Sequence, residues 1–207
     1  MVLRPWQLRT LPGNIPAVRS VFGIPAHPLF VHIPAVLLPL AAIGVVLMVI
    51  RSSWHRQYRW AVLATGFVGT VGAILAADAG ESLEEQIVAK KGGAAASGWE
   101  DHVAAGDTAR LFTIIFFVVL AAFILIPWFV EQRNARRGSR QTTATDGSSA
   151  VSHAQSASLP KWVTMTLAVL VLAASAGTVV TVILAGHSGA KAVWCETVTP
   201  PNCDSGG

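Results

Sequence analysis

Residues 111–130 read LFTIIFFVVLAAFILIPWFV, and no member of this stretch carries a charge. A helix needs about 20 apolar residues to cross the hydrocarbon core of a bilayer. Because hydrocarbon offers no hydrogen-bond partners, each backbone amide needs a partner inside the segment, which an α-helix supplies. The stretch therefore predicts a membrane-spanning helix.

Three further stretches are free of Asp, Glu, Lys and Arg over a comparable length, at residues 29–50, 60–77 and 162–185. Hydrophobic residues make up 53% of the 207 residues and charged residues 13%, a balance that would leave a soluble domain of this size short of polar surface. We therefore predict an all-α fold, an integral membrane four-helix bundle in a lipid bilayer.

Positive charges indicate the orientation, because cytoplasmic loops are enriched in Lys and Arg. The loops after the first and third helices are basic, and the loop after the second is acidic. Their charged residues are Arg51, Arg56 and Arg59; Arg133, Arg136, Arg137, Arg140 and Lys161; and Asp78, Glu81, Glu84, Glu85, Glu100, Asp101 and Asp107. We expect the basic loops in the cytoplasm and both termini outside, although Arg4, Arg9 and Arg19 favour the reverse. Because the net charge of +4 is not arranged as a basic stripe, we expect no nucleic-acid partner.

Composition divides the chain into five segments. Residues 136–158 mix Ser, Thr, Ala, Gln and Arg with little apolar content, which is typical of segments too polar to form a packed core. The predicted segments are an extracytoplasmic tail over 1–28, helices one to three over 29–130 with an outer acidic loop at 78–110, a flexible cytoplasmic linker over 131–161, helix four over 162–185, and an extracytoplasmic tail over 186–207.

Four of the six histidines fall at one end of the predicted bundle, namely His27, His32, His102 and His187. Ionisable side chains at the edge of a membrane are costly, and they persist mostly where they pair, line a polar cavity or hold an ion or cofactor. The other two, His55 and His153, fall in polar loops and are interpreted as ordinary solvated side chains. The convergence predicts a cofactor site at the extracytoplasmic end.

Two kinds of site fit these residues. In the first, two of the four histidines ligate a b-type haem, and Arg110, which follows His102 and Gly106 at four-residue intervals, lies near a propionate. In the second, three histidines and a carboxylate bind a transition metal such as zinc, copper or iron. The candidate metal ligands are His27, His32, Asp78, Glu81, His102 and His187. A haem, copper or iron site predicts a redox role with a redox partner or a larger membrane complex.

A hypothesis of another class stays open. The chain would then be a non-catalytic accessory or structural membrane protein whose histidines only stabilise helix packing, and losing one would lower stability without releasing a cofactor. Gly66, Gly69 and Gly72 lie three residues apart on the second helix, which favours close packing against a neighbouring helix. No catalytic residue is indicated, so the sequence leaves open whether the protein is an enzyme.

Both cysteines, Cys195 and Cys203, follow the last predicted helix. On the predicted topology they lie in the extracytoplasmic tail, where disulfides persist. Eight positions apart, around Pro200 and Pro201, they can close a small loop. We therefore expect a disulfide between them.

Three motifs resemble those of a family of bacterial membrane proteins known as domain of unknown function 2231. They are the opening from His27-Pro28 to Pro34, the stretch from Ala79-Gly80-Glu81 to Ile87 followed by Glu100-Asp101-His102, and the ending from Gly186-His187 through Gly189 to Val193-Trp194. The resemblance covers about residues 23 to 194. It implies a four-helix membrane domain, and the Rieske-type or cytochrome modules joined to some related proteins imply a redox setting.

Overall fold

The computed structural model describes residues 20–21, 24–91, 99–142 and 159–197. Within these residues the chain forms two short strands, which pair antiparallel, and then five helices. The elements are β1 (Ser20–Val21), β2 (Ile24–Pro25), α1 (Ala26–Phe30), α2 (His32–Ile50), α3 (Ser52–Lys91), α4 (Glu100–Thr142) and α5 (Lys161–Thr197).

α1 and α2 form one nearly continuous span. The amide of Val31 donates to the carbonyl of His27 at 3.1 Å, and the amide of Ala35 donates to the carbonyl of Val31 at 3.2 Å, so helical hydrogen bonding continues across the junction. With α3, α4 and α5 this gives four helices long and apolar enough to cross a membrane. The predicted all-α membrane bundle is confirmed.

The four spans form a closed ring in which each packs against the next. α2 contacts α3, α3 contacts α4, α4 contacts α5, and α5 contacts α2. Arg59 near the start of α3 contacts Glu131 towards the end of α4, and His102 near the start of α4 contacts Ser188 towards the end of α5. Neighbouring helices are therefore antiparallel, so each end of the bundle collects residues from distant parts of the chain. We call one end, which contains His27, His102 and Ser188, the histidine end, and the other, which contains Arg59 and Glu131, the arginine end.

Helical periodicity explains where the core lies. On α2, the buried residues Leu38, Ala41, Val45 and Met48 are three or four positions apart and therefore form one stripe. This stripe packs with buried residues of the other three helices, among them Val62, Phe116, Leu120, Ile124 and Val171. Large apolar side chains cover the outside, including Val36, Ile43, Val118 and Val169. An apolar exterior of this kind matches a lipid environment.

The glycines of α3 allow its neighbours to approach closely. A Cβ added to Gly66 would lie 2.7 Å from Leu120, and one added to Gly69 would lie 2.9 Å from Leu38. At Gly72 the added Cβ would lie 2.5 Å from Ile33. Each of these distances is shorter than a van der Waals contact. The neighbouring helices can therefore approach α3 this closely only because glycine has no side chain. The packing role predicted from the three-residue spacing fits this geometry.

Three helices continue beyond the apolar stretches. α3 runs to Lys91 and α4 begins at Glu100, so much of the predicted loop over 78–110 is helical. The predicted loop over 78–110 was bounded by the ends of two apolar stretches. Apolar content marks only the part of a helix that crosses hydrocarbon. Residues such as Glu, Gln, Lys and Ala are good helix formers, and they extend the helix into water.

Polar helix-forming residues also explain two further differences between the predicted segments and the structure, at the ends of α4 and α5. α4 ends at Thr142, inside the predicted linker over 131–161, and α5 ends at Thr197, inside the predicted tail over 186–207. Which side of the membrane each end faces stays a prediction.

The close approach of α2 and α3 gives a stability test. Gly69→Val should lower the free energy of unfolding by about 1–3 kcal/mol, because an overpacked core must shift to admit the new side chain. The matched control is Gly186→Val, since no described atom lies within 4 Å of a Cβ added to Gly186. The free energy of unfolding of both variants is measured by titrating sodium dodecyl sulfate into mixed micelles and monitoring helix content by circular dichroism. Equal losses in the two variants would contradict the packing described for α3.

Candidate functional site

His27 lies in α1 and bonds to α3. Its Nδ1 is 2.7 Å from the carbonyl oxygen of Ala76. A carbonyl only accepts, so Nδ1 carries the proton and donates it. One turn further along α3, a Cβ added to Gly80 would lie 2.9 Å from the same nitrogen, so the missing side chain makes room for the imidazole.

The local structure around His27 differs from the sequence expectation. The sequence placed His27 and Pro28 in the tail over 1–28, but the first helical turn begins at Ala26 and includes both residues. Proline is tolerated there because the amides of a first turn have no intrahelical partner to lose.

His102 lies in α4 and bonds to α5. Its Nδ1 is 3.1 Å from the hydroxyl oxygen of Ser188. That hydroxyl donates its only proton to the carbonyl oxygen of Ala185 at 3.0 Å, so it accepts from the histidine. A Cβ added to Gly189 would lie 2.7 Å from Cε1 of His102. Glycine thus opens space for this ring on α5, as Gly80 does for His27 on α3.

The two imidazoles meet at the centre of the histidine end. The ring centres of His27 and His102 are 5.9 Å apart, and the ring planes are inclined by 83°. Trp99 stands edge-on to His102 with its ring centre 6.2 Å away. Because both Nδ1 atoms donate to protein acceptors, the neutral form of each ring has its free lone pair on Nε2. The structure therefore brings two of the four predicted histidines together with one nitrogen of each available as a ligand.

The other two predicted histidines lie apart from this pair. His32 is exposed, and its Nδ1 bonds to the carbonyl oxygen of Pro28 at 2.6 Å, within its own helical turn. It follows His27 by five residues, about 1.4 helical turns, so the two side chains leave the helix in different directions. His187 is exposed on α5.

Arg110 forms a second polar cluster beside the histidine pair. Its Nη1 is 3.3 Å from Oδ1 of Asp78 and 3.9 Å from Oε1 of Glu81, and its Nη2 is 3.5 Å from Oδ1 of Asp107. Asp78 and Glu81 are three residues apart in α3 and therefore share a face of the helix. The cluster links α3 to α4, and its carboxylates form ion pairs with the guanidinium group of Arg110.

The candidate metal ligands are divided between these two clusters. Among the residues that the structure describes, no group of three or more His, Cys, Asp or Glu side chains lies close enough to hold a metal ion. Asp78 and Glu81 contact Arg110, and the histidine end contributes one pair of imidazoles. The arrangement with three histidines and a carboxylate is therefore not assembled in the described part of the chain.

Gly106 follows His102 by one helical turn and precedes Arg110 by another. A Cβ added there would meet no described atom within 4 Å beyond its chain neighbours and the local helix backbone, so it faces open space and not the imidazole rings.

At the arginine end, His55 differs from its interpretation as a solvated loop residue. It lies in the first turn of α3, where its ring is half-buried and stands edge-on to Phe123 at 5.2 Å between ring centres. The sequence prediction began the second helix at Trp60, whereas α3 begins at Ser52. The helical turns before Trp60, which place His55 against α4, were therefore not recognised.

Several sequence predictions fall on residues that are not described. Cys195 lies in the last turn of α5, but its side chain and all of Cys203 are outside the described residues, so their disulfide stays a prediction. His153 also lies outside them, as do the side chains of Glu84, Glu85 and Glu100.

The hydrogen bonds predict the tautomer of each paired histidine. In the ligand-free protein at a pH where both rings are neutral, His27 and His102 should be protonated on Nδ1, which long-range ¹H–¹⁵N correlation spectra of the imidazole nitrogens report directly. Ser188→Ala removes the acceptor of His102 and should change the signals of that ring while His27, bonded to a backbone carbonyl, serves as the internal control. Protonation of either wild-type ring on Nε2 would refute the assignment.

Comparison with known proteins identifies the family. A family model described as "Predicted membrane protein (DUF2231)" matches residues 23–200, a range that contains all five helices. No curated protein and no solved structure matches the chain. The chain therefore belongs to the DUF2231 family of predicted membrane proteins.

Proposed function

We propose that this multi-pass membrane protein binds a b-type haem through His27 and His102 and takes part in electron transfer. The observation that carries the proposal is the pair of imidazoles from α1 and α4, 5.9 Å apart. A metal ion held by side chains alone needs three or four of them. Haem iron needs only one or two side-chain ligands, because the porphyrin nitrogens supply the other ligands. A pair of histidines therefore favours haem over the mixed histidine and carboxylate site.

The spacing of the rings supports this choice. Two metal–imidazole bonds of about 2 Å, together with the half-widths of the rings, separate the ring centres of a bis-histidine site by roughly 6 Å. The hydrogen bonds of the two rings support it as well. Histidines that ligate a metal usually donate their other ring nitrogen to a fixed acceptor, which orients the ring. Ala76 and Ser188 provide such acceptors.

Two glycines lie against the pair. Gly80 and Gly189 present no side chains on α3 and α5, where the two rings lie. Arg110 is already paired with three carboxylates of the chain, so its guanidinium is not assigned to a haem propionate. When bound, the haem would supply an iron that changes reversibly between two oxidation states. A redox partner would then dock at the histidine end, close to Trp99.

A second candidate function rests on the same hydrogen bonds. The bond from His27 joins α1 to α3, and the bond from His102 joins α4 to α5. Edge-on rings about 6 Å apart also occur as ordinary aromatic contacts. In this second function the histidines hold the helices together in an accessory subunit of a membrane complex and bind no cofactor.

Absorption spectra of the detergent-purified protein, oxidised in air and reduced by dithionite, test the proposal. With iron analysis on the same sample, we expect about one haem per chain, with a Soret band and sharpened α and β bands after reduction. His27→Ala and His102→Ala should each lose these bands, whereas His32→Ala and His187→Ala, which remove exposed histidines, should retain them. A colourless wild-type protein, or equal haem content in all four variants, would contradict the proposal.

A second pair of variants separates ligation from helix packing. His102→Met keeps a haem ligand of another kind and should retain haem with an altered reduced spectrum and a higher reduction potential. His102→Gly should lose haem and regain it when imidazole is added. If imidazole restores thermal stability but no absorption band, the histidines hold the helices together and the haem proposal fails.

A further inference from the structure

The arginine end contains a cavity that the proposed haem site does not use. It has a volume of about 750 Å³, within the range of roughly 300–1,000 Å³ that small-molecule sites occupy. All four membrane-spanning helices contribute to its walls, so it opens between them and not on the surface of one helix. We propose that this cavity binds one anionic phospholipid, with the phosphate group beside Arg56 and the upper part of an acyl chain along the apolar wall.

The lining is divided into an apolar part and a polar part, as an amphiphile requires. Met48, Phe123 and Leu167 supply large apolar surfaces from three helices. Ser52, Ser53, His55 and Arg56, all from the first turns of α3, supply the polar groups. A ligand with a hydrocarbon chain and a polar head matches both parts at once, whereas a free anion would leave the apolar wall unoccupied.

The charges at the polar end favour an anionic head. Glu131 also lines the cavity, but its Oε2 is paired with Nη1 of Arg59 at 3.3 Å. Arg56 is exposed and makes no ion pair within the described part of the chain, so it leaves one positive charge uncompensated at the mouth. Basic pockets between membrane helices bind the head groups of anionic lipids for this reason.

Tryptophans indicate that the cavity lies at the depth of the lipid head groups. Trp60 and Trp128 stand edge-on with ring centres 5.4 Å apart, and Trp54 contacts Tyr58, which lies one turn further along α3. Such rings concentrate at the boundary between hydrocarbon and water. Trp128 is adjacent in sequence to Pro127, which lines the cavity, so the mouth opens where phosphate groups are present.

Native mass spectrometry of the full-length protein tests this site. The protein is reconstituted in nanodiscs of phosphatidylcholine containing a minor fraction of phosphatidylglycerol, and the lipids retained after release from the nanodisc are counted. We expect one phosphatidylglycerol per chain, retained in the presence of inorganic phosphate. Arg56→Ala should weaken retention roughly tenfold, as the loss of a hydrogen bond to a charged group does. The matched control Arg133→Ala removes an exposed arginine of α4 that does not line the cavity and should have no effect.

A second variant tests the apolar part without changing a charge. Thr164→Trp places a large ring at an exposed position of the cavity wall and should also reduce retention of phosphatidylglycerol, with circular dichroism unchanged. Equal retention of phosphatidylcholine, displacement of the lipid by inorganic phosphate, or a neutral quinone found in place of the lipid would each overturn the inference. So would equal losses in Arg56→Ala and Arg133→Ala.

Discussion

The lack of water in the bilayer core is the constraint on which the rest of this structure depends. Every backbone amide must bond inside its own helix, and helices in lipid associate through close packing more than through burial of apolar surface. Here α3 provides the close packing, because the side chains of Leu38, Leu120 and Ile33 from neighbouring helices pack directly against its glycines. The few buried hydroxyls follow the same rule. Thr113 donates to a carbonyl of its own helix, and Thr178 donates to Phe112 across α4 and α5.

Antiparallel packing then makes the two ends of the bundle chemically different. At the histidine end, one backbone carbonyl, one serine hydroxyl and two glycines orient two imidazoles from α1 and α4. At the arginine end, the helices separate around a cavity with one uncompensated arginine. The first arrangement suits a ligand held by two nitrogens, and the second suits an amphiphile. Neither site lies in one contiguous segment, since each needs residues from at least two helices that are far apart in sequence.

Sequence patterns were sufficient for the fold because a long, uncharged apolar segment is compatible with few structures besides a membrane-spanning helix. They placed His27 and His102 at the same end of the bundle, but they put Arg110 near a propionate, whereas it pairs with Asp78, Glu81 and Asp107. They were not sufficient to separate His27 from His32, because the direction of each side chain depends on where the first helical turn begins. Ser188 and the carbonyl of Ala76 could not have been predicted, since a hydrogen-bond acceptor becomes specific only when two helices are in register. His55 was missed because helix ends in water carry no apolar signal.

Electron paramagnetic resonance of the oxidised, haem-loaded protein tests the central claim most directly. The ring planes of His27 and His102 are inclined by 83°. If both rings held a ferric haem at this inclination, its low-spin signal would be highly anisotropic, whereas parallel imidazoles would give a rhombic low-spin signal. We expect the highly anisotropic form. A high-spin ferric signal, or a protein that binds no haem under these conditions, would contradict ligation by this pair.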